Sequence, residues 1–269
     1  MKHDLRPIGV FDSGFGGISV QKALCALLQN EQFVYYGDNA NAPYGTKTEK
    51  EVLTLCKEAV KELLRYNVKA IVIACNTATA VAVKTLRDNY PDLPIIGVEP
   101  ALRPAVLAGD HPRVLIMATP MTLHLGKFKA LEEELSDKAD LVTLPCPGLV
   151  EYIERGDPCS KETERFLKTL LKEHLENPPQ AVVLGCTHYP FVLPLLKRLF
   201  PRETTFFDGA EGTARQLKRR LEERSLTAPA EQKGGVLFLS SQKNEEVTRK
   251  MAEFLSICPS VKEAGDQKL

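Results

Sequence analysis

Short apolar runs recur along the chain, and between them apolar residues return every three or four positions. The runs are Ile8–Asp12, Phe33–Tyr36, Ala70–Ala74, Ile95–Val98, Val114–Ala118, Leu141–Leu144, Ala181–Gly185, Thr204–Asp208 and Val236–Ser240. They are short and lack clean polar alternation, so they read as strands covered on both faces. In the stretch Glu49–Tyr66, helical spacing puts Val52, Cys56, Ala59, Val60, Leu63 and Leu64 on one face. Glu162–Leu175 does the same with Phe166, Leu167, Leu170, Leu171 and His174. Alternation of strand and helix over this length predicts a parallel α/β architecture.

The pattern also repeats. Ala70-Ile-Val-Ile-Ala-Cys75-Asn-Thr77-Ala is echoed by Ala181-Val-Val-Leu-Gly-Cys186-Thr-His188-Tyr, with the two cysteines 111 positions apart. The strands Ile8–Asp12 and Val114–Ala118 are separated by about the same distance. Each runs into a polar loop: Asp12-Ser13-Gly14 in one case, Thr119-Pro120-Met121-Thr122 in the other. Two similar α/β halves are the natural reading. The Pro-rich stretch Val98–Pro104 is a candidate crossing between them, and the stretch after Asp208 a candidate return. From Cys258 onward periodicity is lost, as in a frayed tail.

Charge and composition narrow the function classes. Lys plus Arg and Asp plus Glu each number 35, for a net charge of +0. Such a chain has no electrostatic reason to seek nucleic acid or an anionic membrane. The apolar runs stop far short of the roughly 20 residues a spanning helix needs. The N-terminus shows no apolar signal-peptide core, so a cytoplasmic protein is expected. Seven cysteines, an odd number, scatter through apolar or Gly-flanked segments; they read as cytosolic thiols, not a disulfide framework.

Candidate chemistry gathers where strands end. Asp12-Ser13-Gly14-Phe15-Gly16-Gly17 follows a strand and precedes a helix, so glycine lets backbone N–H groups approach a small anion. It has neither the Lys-Ser/Thr ending of a nucleotide loop nor dinucleotide spacing. A carboxylate fits better, and Asp12 stands where open α/β sheets bind ligands. The loop Gly37–Thr46 offers backbone amides and the Tyr44 hydroxyl. Cys75 and Cys186 each follow a buried strand and precede a predicted helix, whose N-terminus favours a thiolate. Asn76, Thr77 and Thr187 beside them suit a carboxylate. No metal site is expected, since Cys186-x-His188 is not a zinc pair and Cys75 has no nearby histidine. Without a Cys-x-x-Cys, a redox pair is not expected either. His188 can pair with Cys186 or with a carboxylate. Glu151 opens a short predicted helix in the second half. Two thiols on opposite sides of one carbon could remove a proton from one face and deliver one to the other, inverting a stereocentre without a cofactor. No phosphate cup paired with a candidate Schiff-base lysine is apparent.

These segments resemble the glutamate racemases of the cofactor-independent aspartate/glutamate racemase superfamily. The resemblance rests on Asp12-Ser13-Gly14-x-Gly16-Gly17, Pro43-Tyr44-Gly45, Ala74-Cys75-Asn76-Thr77-Ala78 and Gly185-Cys186-Thr187-His188-Tyr189-Pro190, in order, and covers about residues 7 to 256. It implies two pseudo-symmetric α/β domains with mostly parallel sheets and an active site in the cleft between them. The implied domains are 1–98 with a return of 209–269, and 99–208. It implies that Cys75 takes the proton from D-glutamate and Cys186 from L-glutamate, with Asp12, His188 and Glu151 in supporting acid–base roles. Asp12, Ser13, Tyr44, Gly45, Asn76, Thr77, Thr187 and His188 would hold substrate, with Thr119 and Thr122 added. No cofactor and no metal are implied. The implied partners are L- and D-glutamate and, as in many relatives, a second copy in a homodimer; no nucleic acid or membrane partner is expected. The implied role is supply of D-glutamate for peptidoglycan. Asn41 departs from the family, which often has Arg there.

Overall fold

The computed structural model describes residues 3–258; the predicted tail beyond Cys258 lies outside the described residues. Nine strands form where the apolar runs lie: β1 (Ile8–Asp12), β2 (Gln32–Gly37), β3 (Ala70–Ile73), β4 (Ile95–Gly97), β5 (Arg113–Ala118), β6 (Asp140–Pro145), β7 (Ala181–Leu184), β8 (Thr205–Phe207) and β9 (Gly235–Ser240). They make two parallel sheets, one ordered β4-β3-β1-β2-β9 and the other β6-β5-β7-β8. Reading the second sheet from its other edge gives β8-β7-β5-β6. That is the order of the first four strands of the other sheet, β4-β3-β1-β2, so the repeat seen in sequence is a repeat of topology. β9 is the addition.

The chain folds as two units, one running through Glu99 and resuming at Ala210–Cys258, the other Pro100–Gly209. In the first, the return is fastened by a buried ion pair. Lys69 Nζ lies 2.7 Å from Glu31, with the two side chains 0% and 4% exposed. The same ammonium donates to the Asp4 carbonyl, and Glu31 accepts from the Ala228 amide. Such a pair holds its register well because losing one partner strands a buried charge. In the second unit, Val114, Ile116, Ala181 and Val183 pack against Phe128, Leu135 and Phe207.

β1, β3 and β7 are buried on both faces, as short apolar runs predict. β6 and β9 are not. Their residues are half-buried or exposed; both strands close an edge of a sheet, whereas the opposite edge strands, β4 and β8, are mostly buried. The helix Glu49–Leu64 opens with a full capping box from Thr48 and Glu51 and buries Val52, Cys56, Ala59, Val60 and Leu63; Leu64 is half-buried. The second predicted helix is two: Lys161–Leu170 and Lys172–Glu176. Leu171, at φ −93° and ψ 1°, ends the first while staying in the core, so the apolar spacing runs through a break. Among the described residues no helix is long and apolar enough to cross a membrane.

Candidate active site

In each sheet the chain leaves the central strand toward one side and later returns to build on the other. Connections therefore diverge at the carboxyl ends of β1 and β3, and of β5 and β7, the switch points where open α/β sheets take ligands. The motif residues stand at these ends.

In the first unit, Asp12 ends β1 fully buried, and its carboxylate accepts from the Gly14 amide at 2.9 Å. Gly17 starts the helix Ile18–Leu27 so close to the sheet that a Cβ there would lie 2.5 Å from Asp12 Cβ. Cys75 follows β3 and caps the helix Asn76–Asn89: its backbone is extended (φ −100°, ψ 125°) and its sulfur accepts from the Ala78 amide at 3.5 Å. Ser13 Oγ lies 3.7 Å from the sulfur, accepting from the thiol. Asn76 and Thr77 are buried in the first turn, and the Asn76 side-chain oxygen has no hydrogen-bond partner among the described residues. After β2, Asp38 accepts from the Tyr44 hydroxyl at 2.6 Å and from the Asn41 amide. Burial first, then the Asp38 hydrogen bond and charge, raise the Tyr44 pKa, so its hydroxyl keeps its proton. Gly45 is half-buried in the same turn. Burial also pushes the Cys56 thiol well up, helped by neighbouring Cys75 and Asp38.

In the second unit, Cys186 follows β7, but no α-helix begins beside it. A 3₁₀ turn, Tyr189–Val192, comes first, and the helix Leu193–Leu199 starts later. Pro194 has no N–H to give the Pro190 carbonyl, so an α-helix cannot run through this stretch. The thiol instead meets a side chain, with Cys186 Sγ 3.7 Å from His188 Nδ1. His188 Nε2 in turn lies 2.7 Å from Glu154 Oε1. Burial alone would push the His188 pKa down. Hydrogen bonds to Cys186 and Glu154, and their negative charge, outweigh it and hold the imidazole well above its usual value. Protonated, it donates from both nitrogens. Thr119 follows β5 and caps the helix Pro120–His124; its hydroxyl lies 2.9 Å from that of buried Thr122. Thr187 is buried beside Cys186. Behind them Tyr189 is fully buried, its hydroxyl without an oxygen or nitrogen partner among the described residues and set against the Cys146 thiol. Burial pushes that thiol up to about 12.

Each unit thus presents one buried thiol at a switch point, with its own polar support. The family model for the Asp/Glu/hydantoin racemases matches residues 16–217. The chain belongs to that family. This makes it an enzyme of the racemase class. A glutamate racemase of Clostridium botulinum (strain Alaska E43 / Type E3) is 47% identical over 251 residues, 92% of this chain and 97% of that one. The crystal structure of glutamate racemase from Francisella tularensis in complex with D-glutamate matches with a TM-score of 0.77 at 29% identity, over 93% of this chain and 94% of that one. The Escherichia coli glutamate racemase, solved with L-glutamate and the activator UDP-MurNAc-Ala, matches at 0.81 and 28%, over 93% and 95%.

Within this racemase chain the motif residues fall into two groups by unit: Asp12, Ser13, Tyr44, Gly45, Cys75, Asn76 and Thr77 in one, Thr119, Thr122, Cys186, Thr187 and His188 in the other. Glu151 stands apart. It is exposed in the first turn of the helix Leu149–Glu154, and the carboxylate that hydrogen-bonds to His188 belongs to Glu154, one turn on. Sequence reasoning does not single out Glu154; a second carboxylate at i+3 on the same short helix is the available signal. Asp38 is missed as well, although it opens the turn-rich loop that ends in Tyr44. Nothing in the spacing marks Tyr189 and Cys146 as neighbours.

Proposed function

We propose that the chain is a glutamate racemase, interconverting L- and D-glutamate by two-thiol proton transfer at the α-carbon. The observation that carries the reading is the pair of thiols ending topologically equivalent strands, β3 and β7, each with a partner able to steady a negative sulfur. From L-glutamate, the Cys186 thiolate takes the α-proton, forming an S–H bond as the C–H bond breaks. The Cys75 thiol gives its proton to the other face and becomes the thiolate. From D-glutamate the roles exchange. An α-proton is far less acidic than a thiol, and each unit of mismatch costs about 1.4 kcal/mol. Developing negative charge therefore has to be stabilised through the α-carboxylate. Ser13, Asn76, Thr77 and Thr187, with helix N-terminal amides, are the groups assigned to it. Asp12 and the His188–Glu154 pair support the thiols. Close relatives named glutamate racemase, and solved relatives holding D- or L-glutamate, support this substrate.

The role that follows is supply of D-glutamate for peptidoglycan in the cytoplasm. A second copy of the chain is the remaining proposed partner, and light scattering after gel filtration decides between monomer and dimer. The reaction itself is tested with purified protein, no added cofactor and L-glutamate in D2O. Rotation should fall to zero while deuterium enters the α-carbon. Persistent rotation and α-proton, with thiols reduced, would sink the proposal.

A further inference from the structure

The C-terminal helix Glu245–Ile257 lies far in sequence from every motif above, yet it packs behind two of the loops that carry them. Phe15, within Asp12–Gly17, is only 6% exposed. Its ring centroid lies 5.4 Å from that of buried Phe254, the planes tilted 31°. Lys250 Nζ sits over both rings, 4.9 Å from the Phe15 centroid and 5.6 Å from that of Phe254. One turn away, Met251 is fully buried at the end of β2. A Cβ on Gly37 would lie 2.4 Å from the Met251 methyl and 2.9 Å from the Gly14 carbonyl. Gly37 therefore lets this helix, the β2 end and the Gly14 loop share one small space. Past the helix end, the Cys258 carbonyl accepts from Lys22.

The loop so gripped is also held through its backbone: the Phe15 carbonyl accepts from the Ile18 amide at 3.1 Å and the Asp12 carbonyl from the Asp38 amide at 3.0 Å. Gly14 gives its amide to Asp12 and its carbonyl accepts from the Tyr35 hydroxyl at 2.9 Å. Ser13, between Asp12 and Gly14, is the residue that meets the Cys75 sulfur. Any shift of Phe15 is thus passed through one glycine to the groups around the thiol.

We propose that this helix is a positioning element for the Cys75 site, with Phe254 and Lys250 as positioning residues that set the Asp12–Phe15 loop. The proposal rests on the racemase reading, and the two fail separately: turnover by the parent chain tests that reading, and the ratio of variant to parent tests this one. A small displacement of a positioned group costs on the order of 10-fold to 100-fold in rate. Phe254→Leu keeps an apolar side chain but removes the ring; it should lower kcat/KM about 10-fold, with thermal unfolding near the parent's. Lys250→Gln should lower it by roughly 2-fold to 5-fold, the scale of a cation held over an aromatic ring. Lys250→Arg should restore it. The chain has no tryptophan, so Phe254→Trp adds a single emitter against Phe15. Its fluorescence should change as glutamate is added, half-maximally near that variant's KM. The proposal is overturned if folded Phe254→Leu and Lys250→Gln keep kcat and KM within twofold of the parent. It is equally overturned if the emitter in a racemising Phe254→Trp protein ignores glutamate.

Discussion

Cys75 and Cys186 close equivalent strands, but what surrounds them differs in kind. Cys75 caps a 14-residue helix; its sulfur accepts from a backbone amide and its thiol donates to the Ser13 hydroxyl, groups that do not titrate in the working range. Cys186 has no α-helix at its back and leans on His188, itself tied to Glu154. Topology places both thiols, because a strand end is fixed by its sheet. It does not place their support, which depends on the residues that follow. Where Asn76–Asn89 winds at once into a helix, backbone dipoles face the sulfur. Where Pro190 and Pro194 delay the helix, a charged imidazole takes that place. The second unit should therefore carry the pH sensitivity of the enzyme.

The largest effect comes from removing either thiol. Cys75→Ala and Cys186→Ala should each lower racemisation in both directions by about 10³-fold or more, since proton transfer by one positioned group is worth 10²–10⁴-fold. If one variant alone keeps near-parental turnover, the halves are not partners and the comparison fails. Next comes Glu154→Gln. The carboxylate is one of the groups that raise the His188 pKa against burial, so its loss lowers that pKa. The protonated imidazole then disappears at a lower pH. The alkaline limb of the kcat/KM profile should move down in pH, with a loss of roughly 10-fold to 100-fold at its optimum. An unmoved limb would remove His188 from the support of Cys186. Ser13→Ala should be smallest: a loss of about 5-fold, the scale of one hydrogen bond, with no shift of the alkaline limb. A shift there would mean that the first unit is pH-sensitive too.

Much of the fold is legible in the amino-acid sequence. Every strand falls where an apolar run stands, because strands buried between helix layers leave an uninterrupted apolar signature. β6 and β9 mislead only about burial, which depends on what packs over an edge strand and not on its own residues. The break at Leu171 is hidden because spacing records which residues face the core and not whether the backbone bond pattern persists. Of the residues proposed for catalysis, both thiols, Asp12 and His188 are singled out by motif and strand end. Glu154 is not, since Glu151 and Glu154 share a helix and only the geometry of the turn decides which carboxylate meets the imidazole. The grip of Lys250 and Phe254 on Phe15 joins two distant ends of the chain and leaves no local trace.

Enantiomer-resolved mass spectrometry of the parent reaction in D2O, read before much L-glutamate has been consumed, bears most directly on the two-thiol claim. In the proposed mechanism one thiolate takes the proton on one face and a different, solvent-equilibrated thiol supplies the other. The first D-glutamate formed should therefore carry α-deuterium, while the remaining L-glutamate keeps its α-proton. Early D-glutamate carrying the original proton, or L-glutamate exchanging ahead of inversion, would mean that a single group handles both faces and would contradict the two-thiol mechanism.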